Sequence, residues 1–376
     1  MARVLHILRA PVGGLFRHVR DLVPAQHELG LEVGVVCDSN ASDRLTRERL
    51  DALKPSLTLG LHQIPMRRAI GIGDAHAYMR VRDVALATGA DVLHGHGAKG
   101  GAYARLASAS LRSHGRRAAS FYTPHGGSLN YPATSLKGRV FMAIERGLEP
   151  MTGGLVFESA WSERIFRREV CAPRCPVRVI PNGLLPADFE LHRVAPDACD
   201  VVFVGELRVA KGIDVLLEAI AAVRIKHEIT ALIVGDGPDA GRLREHAARL
   251  GLDDCVAFPG AMPAHQAFAR GRMLAIPSRW ESFPYIVLEA AACGIPMITT
   301  NVGGIPEIVE GTDTALIPPG DVCALAAALT SAIEQPAAAR ARAQRLRSAV
   351  QAKFTVPRMA GDIVDFYRAV SETAPR

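Results

Sequence analysis

The chain has 376 residues, of which 49% are hydrophobic and 22% are charged, and its formal net charge is +6. This length suggests two domains, because a single hydrophobic core rarely grows beyond about 250–300 residues. The composition excludes a disordered or fibrous protein, and no apolar run approaches the roughly 18 residues of a membrane-spanning helix.

The seven cysteines are scattered and odd in number. That usage is typical of a reducing compartment rather than of a disulfide framework. The N-terminal residues enter a strand-like pattern directly, without the long apolar region of a secretory signal. We therefore expect a cytoplasmic protein.

The positive charge is concentrated in the first half. Residues 1–185 carry 25 Lys and Arg against 15 Asp and Glu, a balance of +10, whereas residues 186–376 carry 19 against 23, a balance of −4. This asymmetry suggests an acidic partner for the first half. With 5% aromatic residues and no helix-turn-helix, zinc-finger or RNP pattern, the sequence does not predict nucleic-acid binding.

Three basic clusters contribute to this charge: residues 67–68, 112–117 and 164–168. In the last, Trp161, Ile165 and Phe166 alternate with arginines, as in a helix that lies on an anionic membrane surface. An ordinary helix with its apolar side in the core explains the same pattern slightly better.

Strand-like and helix-like segments alternate through the first half. Helices are predicted over residues 15–29 and after a glycine-rich loop at 95–101, and apolar strands at 4–8, 33–37, 91–94, 119–123, 154–157 and 177–180. Short apolar strands that alternate with helices predict a parallel sheet covered on both faces.

The second half repeats this rhythm. Strands are predicted at 200–205, 230–235, 256–258, 273–277 and 296–300, and helices at 212–223, 240–250, 265–268, 285–292, 306–309 and 355–369. The sequence therefore predicts two Rossmann-like α/β domains that join near residues 183–187 and share a cleft. Ligands of such sheets bind beyond the carboxyl ends of the strands.

The first motif with chemical meaning follows the strand at 200–205. Arg208 and Lys211 lie three residues apart in a loop, and a helix begins near Gly212. Two cations and a helix N-terminus at a strand end suit an anion such as a diphosphate. Taken alone, this reading is only slightly better than that of two solvated loop cations.

The second motif is a pair of glutamates. Glu281 precedes the helix predicted at 285–292, and Glu289 lies inside that helix among Ile, Val, Leu and Ala. A carboxylate in so apolar a segment needs a partner, and the vicinal hydroxyls of a ribose offer two donors. Taken alone, Glu281 is better explained as a surface loop acid.

Together these residues resemble retaining glycosyltransferase family 4, which has the GT-B fold: two Rossmann-like αβα domains that face a cleft, with a C-terminal helix that crosses back to the first. The match covers the second half closely and the first more loosely. It rests on Arg208 and Lys211, Glu281 and Glu289, the segment Val302-Gly303-Gly304-Ile305-Pro306-Glu307, and the junction Pro181-Asn182-Gly183.

The resemblance implies residue roles. Arg208 and Lys211 would bind the donor diphosphate, Glu289 the donor ribose, and Glu281, with Phe283 in the same loop, would lie beside the donor sugar. It also implies an acceptor-side domain at 1–183, with 358–376 returning to it, and a donor-binding domain at 184–357.

Two sites in the first half fit the same resemblance. Gly13 and Gly14 follow the first strand, where missing side chains let backbone N–H groups approach a phosphate. A tight turn is the alternative explanation, and it does not exclude this role. His125 corresponds to the family's cleft histidine and would face the donor sugar. The resemblance implies a catalytic set of His125, Glu281, Arg208 and Lys211.

One segment departs from the family. Many members have Gly-Phe-Gly after the first glutamate, whereas Ser282-Phe283-Pro284 stands here, and proline has no N–H to offer a sugar hydroxyl. The identity of the donor sugar therefore does not transfer.

The sequence predicts no metal and no cofactor other than the sugar nucleotide. His94 and His96 in a glycine loop form half of a metal site, and no Asp-x-Asp pair is present. Arg208 and Lys211 would supply the charge that a metal supplies elsewhere.

The implied reaction is hexosyl transfer, with retention, from a nucleoside diphosphate sugar to a hydroxyl. Family frequency favours a UDP-sugar. The basic first half favours a lipid-linked glycan acceptor at the inner face of the membrane, as in bacterial polysaccharide or glycolipid synthesis. The alternatives are a sugar-nucleotide 2-epimerase of related fold and a non-catalytic protein that binds nucleotide sugars or membranes. A dehydrogenase fits poorly because the first loop lacks the third glycine of its fingerprint.

Overall fold

The structure, a computed structural model, describes residues 2–40, 44–116, 118–131, 134–191 and 193–373. Arg117 of the basic cluster 112–117, and the last three residues of the segment 358–376, lie outside them. The chain divides into two compact units: Met1–Gly183 with Val356–Arg376, and Leu184–Thr355. The division lies at the predicted junction, and the return to the first unit begins two residues before the predicted position.

The first unit contains a seven-stranded parallel sheet in the order β3-β2-β1-β4-β5-β6-β7. Its strands are β1 (Arg3–Leu8), β2 (Glu32–Asp38), β3 (Gly60–Ile64), β4 (Val92–His96), β5 (Ala119–Thr123), β6 (Gly154–Phe157) and β7 (Val177–Val179). Its helices include α1 (Gly13–Glu28), α2 (Arg44–Asp51), α3 (Gly73–Thr88), α4 (Gly97–Ser113), α5 (Leu136–Leu148) and α6 (Ala160–Glu169). The strand order reverses between β1 and β4, which creates a crevice at their carboxyl ends.

The second unit repeats this topology with a six-stranded parallel sheet in the order β10-β9-β8-β11-β12-β13. Its strands are β8 (Cys199–Val204), β9 (Ala231–Val234), β10 (Val256–Gly260), β11 (Gly271–Ile276), β12 (Met297–Thr300) and β13 (Leu316–Ile317). Its helices include α7 (Ile213–Arg224), α8 (Ala240–Arg249), α9 (Ala264–Ala269), α10 (Tyr285–Cys293), α11 (Ile305–Val309), α12 (Val322–Glu334) and α13 (Pro336–Lys353). Here the order reverses between β8 and β11.

The last helix, α14 (Val356–Thr373), returns to the first unit. Met359, Ile363, Phe366 and Tyr367 are buried in the same core cluster as residues of β1, β2 and α1. Because these positions recur every three or four residues, one face of the helix is apolar and covers the sheet. The predicted α/β class and the return of the C-terminal helix are confirmed.

The predicted glycine loop at 95–101 is wrong. Helix α4 begins at Gly97, so Gly100 and Gly101 lie inside it. A Cβ at Gly100 would lie 2.2 Å from the carbonyl oxygen of Ile7, and one at Gly101 would lie 2.3 Å from the Tyr122 ring. These glycines therefore permit close packing of the helix on the sheet rather than a turn.

Helix α6 contains the arginine cluster that could have lain on a membrane. Its Phe166 is 1% exposed and enters a core cluster, whereas Arg167 and Arg168 are exposed. The core explanation of this pattern therefore holds. Among the described residues, no single helix is long and apolar enough to cross a membrane, although α12 and α13, bent by 104°, meet the criterion as a pair.

Candidate functional site

The loops after β8, β11 and β12 meet at the carboxyl edge of the second sheet. They carry Arg208 and Lys211, Glu281, and Gly303 respectively. Since β8 and β11 flank the point where the strand order reverses, this edge is where doubly wound sheets bind ligands.

Lys211 and Glu281 form the centre of this edge. Lys211 Nζ lies 2.7 Å from Glu281 Oε1, and the Ser278 hydroxyl donates a hydrogen bond of 2.7 Å to the same oxygen. Glu281 is 8% exposed. Among the described residues, Glu281 Oε2 accepts no hydrogen bond, so one carboxylate oxygen and two of the three ammonium hydrogens can meet a ligand.

Two glycines allow these loops to approach each other. Gly212 has φ +66°, and a Cβ there would lie 2.0 Å from the carbonyl oxygen of Pro277. Gly303 has φ +60°, and a Cβ there would lie 2.2 Å from the carbonyl oxygen of Glu281. No other amino acid fits this backbone contact without displacing it.

Arg279, in the loop after β11, binds both the loop after β8 and the start of α7. It makes two hydrogen bonds to the Asp214 carboxylate, of 2.6 and 2.9 Å, and its backbone N–H donates to the Ala210 carbonyl at 2.8 Å. Although partial burial raises the pKa of Asp214, the hydrogen bonds from Arg279 hold it below its ordinary value. Sequence reasoning missed both Arg279 and Ser278, because neither belongs to a spaced motif.

The remaining predicted residues of this edge differ in exposure. Arg208 is half-exposed and lies 3.1 Å from Glu206 Oε2. Glu289 is partly buried in the second turn of α10. Phe283 is 5% exposed and packs edge-to-face against Phe354 in the core, so only its backbone is available to a ligand.

In the first unit, the carboxyl ends of β1, β4, β5 and β6 gather a different set of groups. Gly13 and Gly14 are exposed and open helix α1, whose N-terminus has no side-chain cap. His125 follows β5 with φ +49°, which is unusual for a residue with a side chain.

His125 belongs to a chain of contacts between buried histidines. Its Nδ1 lies 2.8 Å from Glu158 Oε1, and its Nε2 lies 2.9 Å from His96 Nδ1. His96 Nε2 lies 2.9 Å from His6 Nδ1, and His6 Nε2 lies 2.7 Å from Gln26 Oε1.

Two further buried histidines lie against this chain. His18 Nδ1 lies 2.9 Å from Asn182 Oδ1. Among the described residues, its fully buried Nε2 has no hydrogen-bond partner. His94 is bonded at both ring nitrogens, to the Tyr367 hydroxyl at 2.5 Å and to Thr123 Oγ1 at 2.8 Å.

Burial favours the neutral form of four of these rings, those of His6, His18, His94 and His96. It lowers the pKa of His6 to about 4 and holds the pKa values of His18, His94 and His96 well below the ordinary 6.5. The sequence indicated His94, His96 and His125, but His6 sits inside a strand and His18 inside a helix. Their distance along the chain hid the cluster.

Two family models match the chain. The model described as Glycosyltransferase Family 4 matches residues 12–186, and the model described as Glycosyl transferases group 1 matches residues 198–335. Their matches fall in the first and the second unit almost entirely, and together they span most of the sequence.

Among curated relatives, a glycogen synthase of Mycobacterium tuberculosis is 32% identical over 185 residues, which are 47% of this chain and 45% of that protein. The chain thus aligns with less than half of that relative.

Among solved structures, sucrose-phosphate synthase from Thermosynechococcus elongatus has a TM-score of 0.81 at 22% identity, with both chains covered completely. HepE from Anabaena, in complex with UDP-glucose, has a TM-score of 0.80 at 19% identity over 98% of this chain and all of that one. Such identities establish the fold. With its two parallel-sheet units and both family matches, the chain belongs to glycosyltransferase family 4 and has the GT-B fold.

Proposed function

We propose that the protein transfers a hexosyl unit, with retention, from a nucleoside diphosphate sugar to a hydroxyl acceptor. The observation that carries this proposal is the edge of the second sheet, where Lys211 and Glu281 are paired beside Arg208 and the start of α7. UDP is the favoured nucleotide. The HepE structure, which holds UDP-glucose, supports this choice.

The charges of this edge suit the leaving group. As the bond between the anomeric carbon and the diphosphate breaks, negative charge grows on the phosphate oxygens. Arg208 and Lys211 would stabilise that charge most strongly in the transition state, which is the condition for acceleration. We propose that no divalent metal is needed for this task.

The carboxylates have separate proposed roles. Glu281 uses Oε1 to orient Lys211, and we assign its Oε2 to the donor sugar. Glu289 would hold the ribose hydroxyls. The departing phosphate oxygen would take the proton of the acceptor hydroxyl while the acceptor oxygen bonds to the anomeric carbon on the same face. This step needs no base from the protein.

For the first unit, we propose that His125 contacts the transferred sugar and that Gly13 and Gly14 offer backbone N–H groups to phosphate. The left-handed backbone of His125 and the uncapped start of α1 support these roles.

Calorimetric titration with UDP, GDP and ADP in EDTA tests the donor site. We expect one nucleotide to bind, and the variant Arg208→Ala/Lys211→Ala to lose at least 100-fold in affinity, about 2.7 kcal/mol. A matched control is Lys226→Ala/Arg249→Ala, which removes two exposed cations from the opposite edge of the same sheet. Equal binding by both double variants would contradict the proposal.

We further propose a lipid-linked glycan acceptor, because α5 presents an apolar stripe among cations. Leu136, Val140 and Ile144 recur every four residues and are 77%, 48% and 39% exposed. Lys137, Arg139 and Arg146 are exposed on the same helix. Such a face suits the surface of an anionic bilayer.

Vesicle co-sedimentation tests that acceptor class. Val140→Asp should weaken binding to vesicles rich in phosphatidylglycerol, whereas Ile225→Asp, at an 83% exposed apolar position in the second unit, should not. Identical binding by both variants would remove the support for a membrane-bound acceptor.

A 2-epimerase would bind the same donor. Incubation with UDP-sugar alone, followed by NMR, separates the two activities: an epimerised donor indicates the epimerase, whereas transfer requires an added acceptor. A protein that binds nucleotide but turns over no donor with any acceptor tested would fit the non-catalytic alternative.

A further inference from the structure

Hydrogen bonds in the first unit hold the His125 ring between an acid and a second histidine. Its Nδ1 lies 2.8 Å from Glu158 Oε1, and its Nε2 lies 2.9 Å from His96 Nδ1. The side chains of His125 and Glu158 are 6% and 3% exposed. Since a carboxylate only accepts, Nδ1 of His125 carries a hydrogen and donates it to Glu158. Whether Nε2 also carries a hydrogen depends on His96 and the groups behind it.

The far end of this chain of contacts is fixed by Tyr367. Its hydroxyl lies 2.5 Å from His94 Nδ1, and the amide nitrogen of Gln26 donates to its oxygen at 3.5 Å. A hydroxyl has a single hydrogen, so that of Tyr367 goes to His94 while its oxygen accepts from Gln26. The Gln26 carbonyl oxygen, 2.7 Å from His6 Nε2, therefore accepts a hydrogen from that nitrogen.

From His6 the hydrogens can be followed back to His125. Burial lowers the pKa of His6 to about 4 and holds the pKa of His96 well below 6.5, so each of these neutral rings carries one hydrogen. His6 has its hydrogen on Nε2, and its Nδ1 accepts the hydrogen of His96 Nε2 at 2.9 Å. His96 Nδ1 is left with a lone pair, so the contact of 2.9 Å with His125 Nε2 needs a hydrogen from His125.

This arrangement places a hydrogen on both ring nitrogens of His125, which makes it an imidazolium paired with Glu158. Within the described residues, Glu158 Oε2 has no hydrogen-bond partner, and a buried carboxylate in that state needs a positive charge beside it. The charge of His125 is also one cause of the lowered pKa values of His18, His94 and His96. His18 and His96, the other titratable groups in contact with the ring in the described part of the chain, are neutral, so Glu158 supplies the balancing charge.

The sheet brings the two members of this pair together. Strands β5 and β6 are neighbours, and His125 and Glu158 follow them by two residues and by one. Glu158 is carried on a fixed backbone, because Phe157 before it is fully buried and Ser159 after it caps helix α6. His125 has φ +49°, a strained conformation that persists only where the surrounding structure imposes it.

We propose that Glu158 is a positioning residue for the transfer reaction: it holds His125 as an imidazolium, with Nδ1 fixed on the carboxylate and Nε2 as a hydrogen-bond donor for the transferred sugar. This inference rests on the proposed function, which places His125 on that sugar. A sugar hydroxyl oxygen would replace His96 Nδ1 as the acceptor, and a charged donor makes the stronger hydrogen bond. Because Glu158 neutralises the ring, the donor adds no net positive charge near a sugar that itself becomes positive as the diphosphate leaves.

Nitrogen NMR of protein labelled with ¹⁵N-histidine tests the charged pair without any substrate. The ¹⁵N shifts distinguish a ring nitrogen that carries hydrogen from one that does not, and comparison with His125→Asn identifies the signals of His125. At neutral pH we expect hydrogen on both nitrogens of His125 in the natural chain, and on only one in Glu158→Gln, which removes the balancing charge. A single hydrogen on His125 in the natural chain overturns the proposal.

Release of UDP from UDP-glucose, with water or an added sugar as the acceptor, is the second readout. We expect Glu158→Gln to lower kcat/KM about 10–100-fold through loss of a hydrogen bond between charged groups. Glu158→Asp keeps the carboxylate and should recover part of this loss. The calorimetric affinity for UDP should stay unchanged in both variants, because Arg208 and Lys211 lie in the second unit.

Glu163→Gln is the matched control, since it neutralises an acid on α6 that pairs with the exposed Arg167. It should keep both the turnover and the NMR signals of His125, and circular dichroism confirms that each variant is folded. If Glu158→Gln turns over UDP-glucose like the natural chain, the positioning role is overturned. If the natural chain itself turns over no UDP-glucose, the proposed function fails, while the NMR measurement still judges the charged pair.

Discussion

The two units have the same strand order around their switch points but opposite chemistry there. At the edge of the second sheet, the loops carry charged groups that pair with one another, such as Lys211 with Glu281 and Arg279 with Asp214. At the edge of the first, imidazole rings pack against each other, with Glu158 as the acid in contact with His125. Topology therefore fixes where a ligand binds, and the loop residues decide which ligand.

The first prediction is that the site of the second unit depends on close backbone contact between its loops. Gly212→Ala should destabilise the protein by about 3 kcal/mol or more, because a Cβ both strains the backbone at φ +66° and meets the Pro277 carbonyl. Gly251→Ala is the control, since Gly251 has φ +67° and nothing within 4 Å of a Cβ.

Urea unfolding measures both variants. The control should lose only about 1 kcal/mol, the cost of the left-handed backbone. If Gly212→Ala and Gly251→Ala lost the same stability, the close contact between the loops would contribute nothing. Gly212 would then be needed only for its left-handed backbone.

The sequence predicts the charged site of the second unit better than the histidine cluster of the first. Arg208, Lys211, Glu281 and Glu289 lie in short motifs with fixed spacing, and the alternation of strands and helices predicts which sheet edge they share. The glycine-rich loop at 95–101 was misplaced because small residues that allow helix–sheet packing look the same as turn residues.

The histidine cluster was harder to predict from the sequence than the charged site of the second unit. His6 and His18 are separated from His96 and His125 by 78 or more positions, and each lies in an element that reads as ordinary core. Other elements were missed too. The short β3 and α2 have weak patterns, and their stability comes from packing rather than from local propensity. The longer helices α3, α12 and α13 were also absent from the prediction.

The second prediction concerns the Lys211–Glu281 pair. Lys211→Met leaves Glu281 without its cation and removes a charge from the diphosphate site. We expect UDP affinity to fall at least 30-fold, about 2 kcal/mol, together with a loss of about 1–3 kcal/mol in stability.

Calorimetry measures the UDP affinity, and urea unfolding measures the stability. Lys211→Arg keeps the charge and should recover most of the stability. A Lys211→Met variant that binds UDP normally would place the diphosphate elsewhere.

The third prediction is that the units respond to acid in separate pH ranges. The pKa of His6 falls to about 4 on folding, and the titratable groups that face it, His94 and His96, are shifted in the same direction. The unfolded chain therefore binds more protons below pH 6.5, so the first unit loses stability as the pH falls. His6 alone contributes about 1.3 kcal/mol between pH 7.5 and 5.5.

In the second unit the pKa shift has the same direction but acts in a lower pH range. The pKa of Asp214 is lower in the folded state, so its contribution is present above its unfolded pKa near 3.8 and is lost only below that value. The two tryptophans, Trp161 and Trp280, lie one in each unit. Fluorescence of Trp280→Phe and Trp161→Phe, with chelator present, would follow each unit separately. If both units lost stability over the same pH range, the predicted difference between them would be wrong.

The smallest expected effect is that of Ser278→Ala. Ser278 donates to the same Glu281 oxygen that binds Lys211, at the same distance of 2.7 Å. Because the ion pair survives the substitution, only one hydrogen bond to a carboxylate is lost, and the free energy of unfolding should fall by about 1–2 kcal/mol. UDP affinity should change less than threefold. A fall of 30-fold or more in UDP affinity, as large as that expected for Lys211→Met, would mean that the hydroxyl, rather than the ammonium group, holds Glu281 in place.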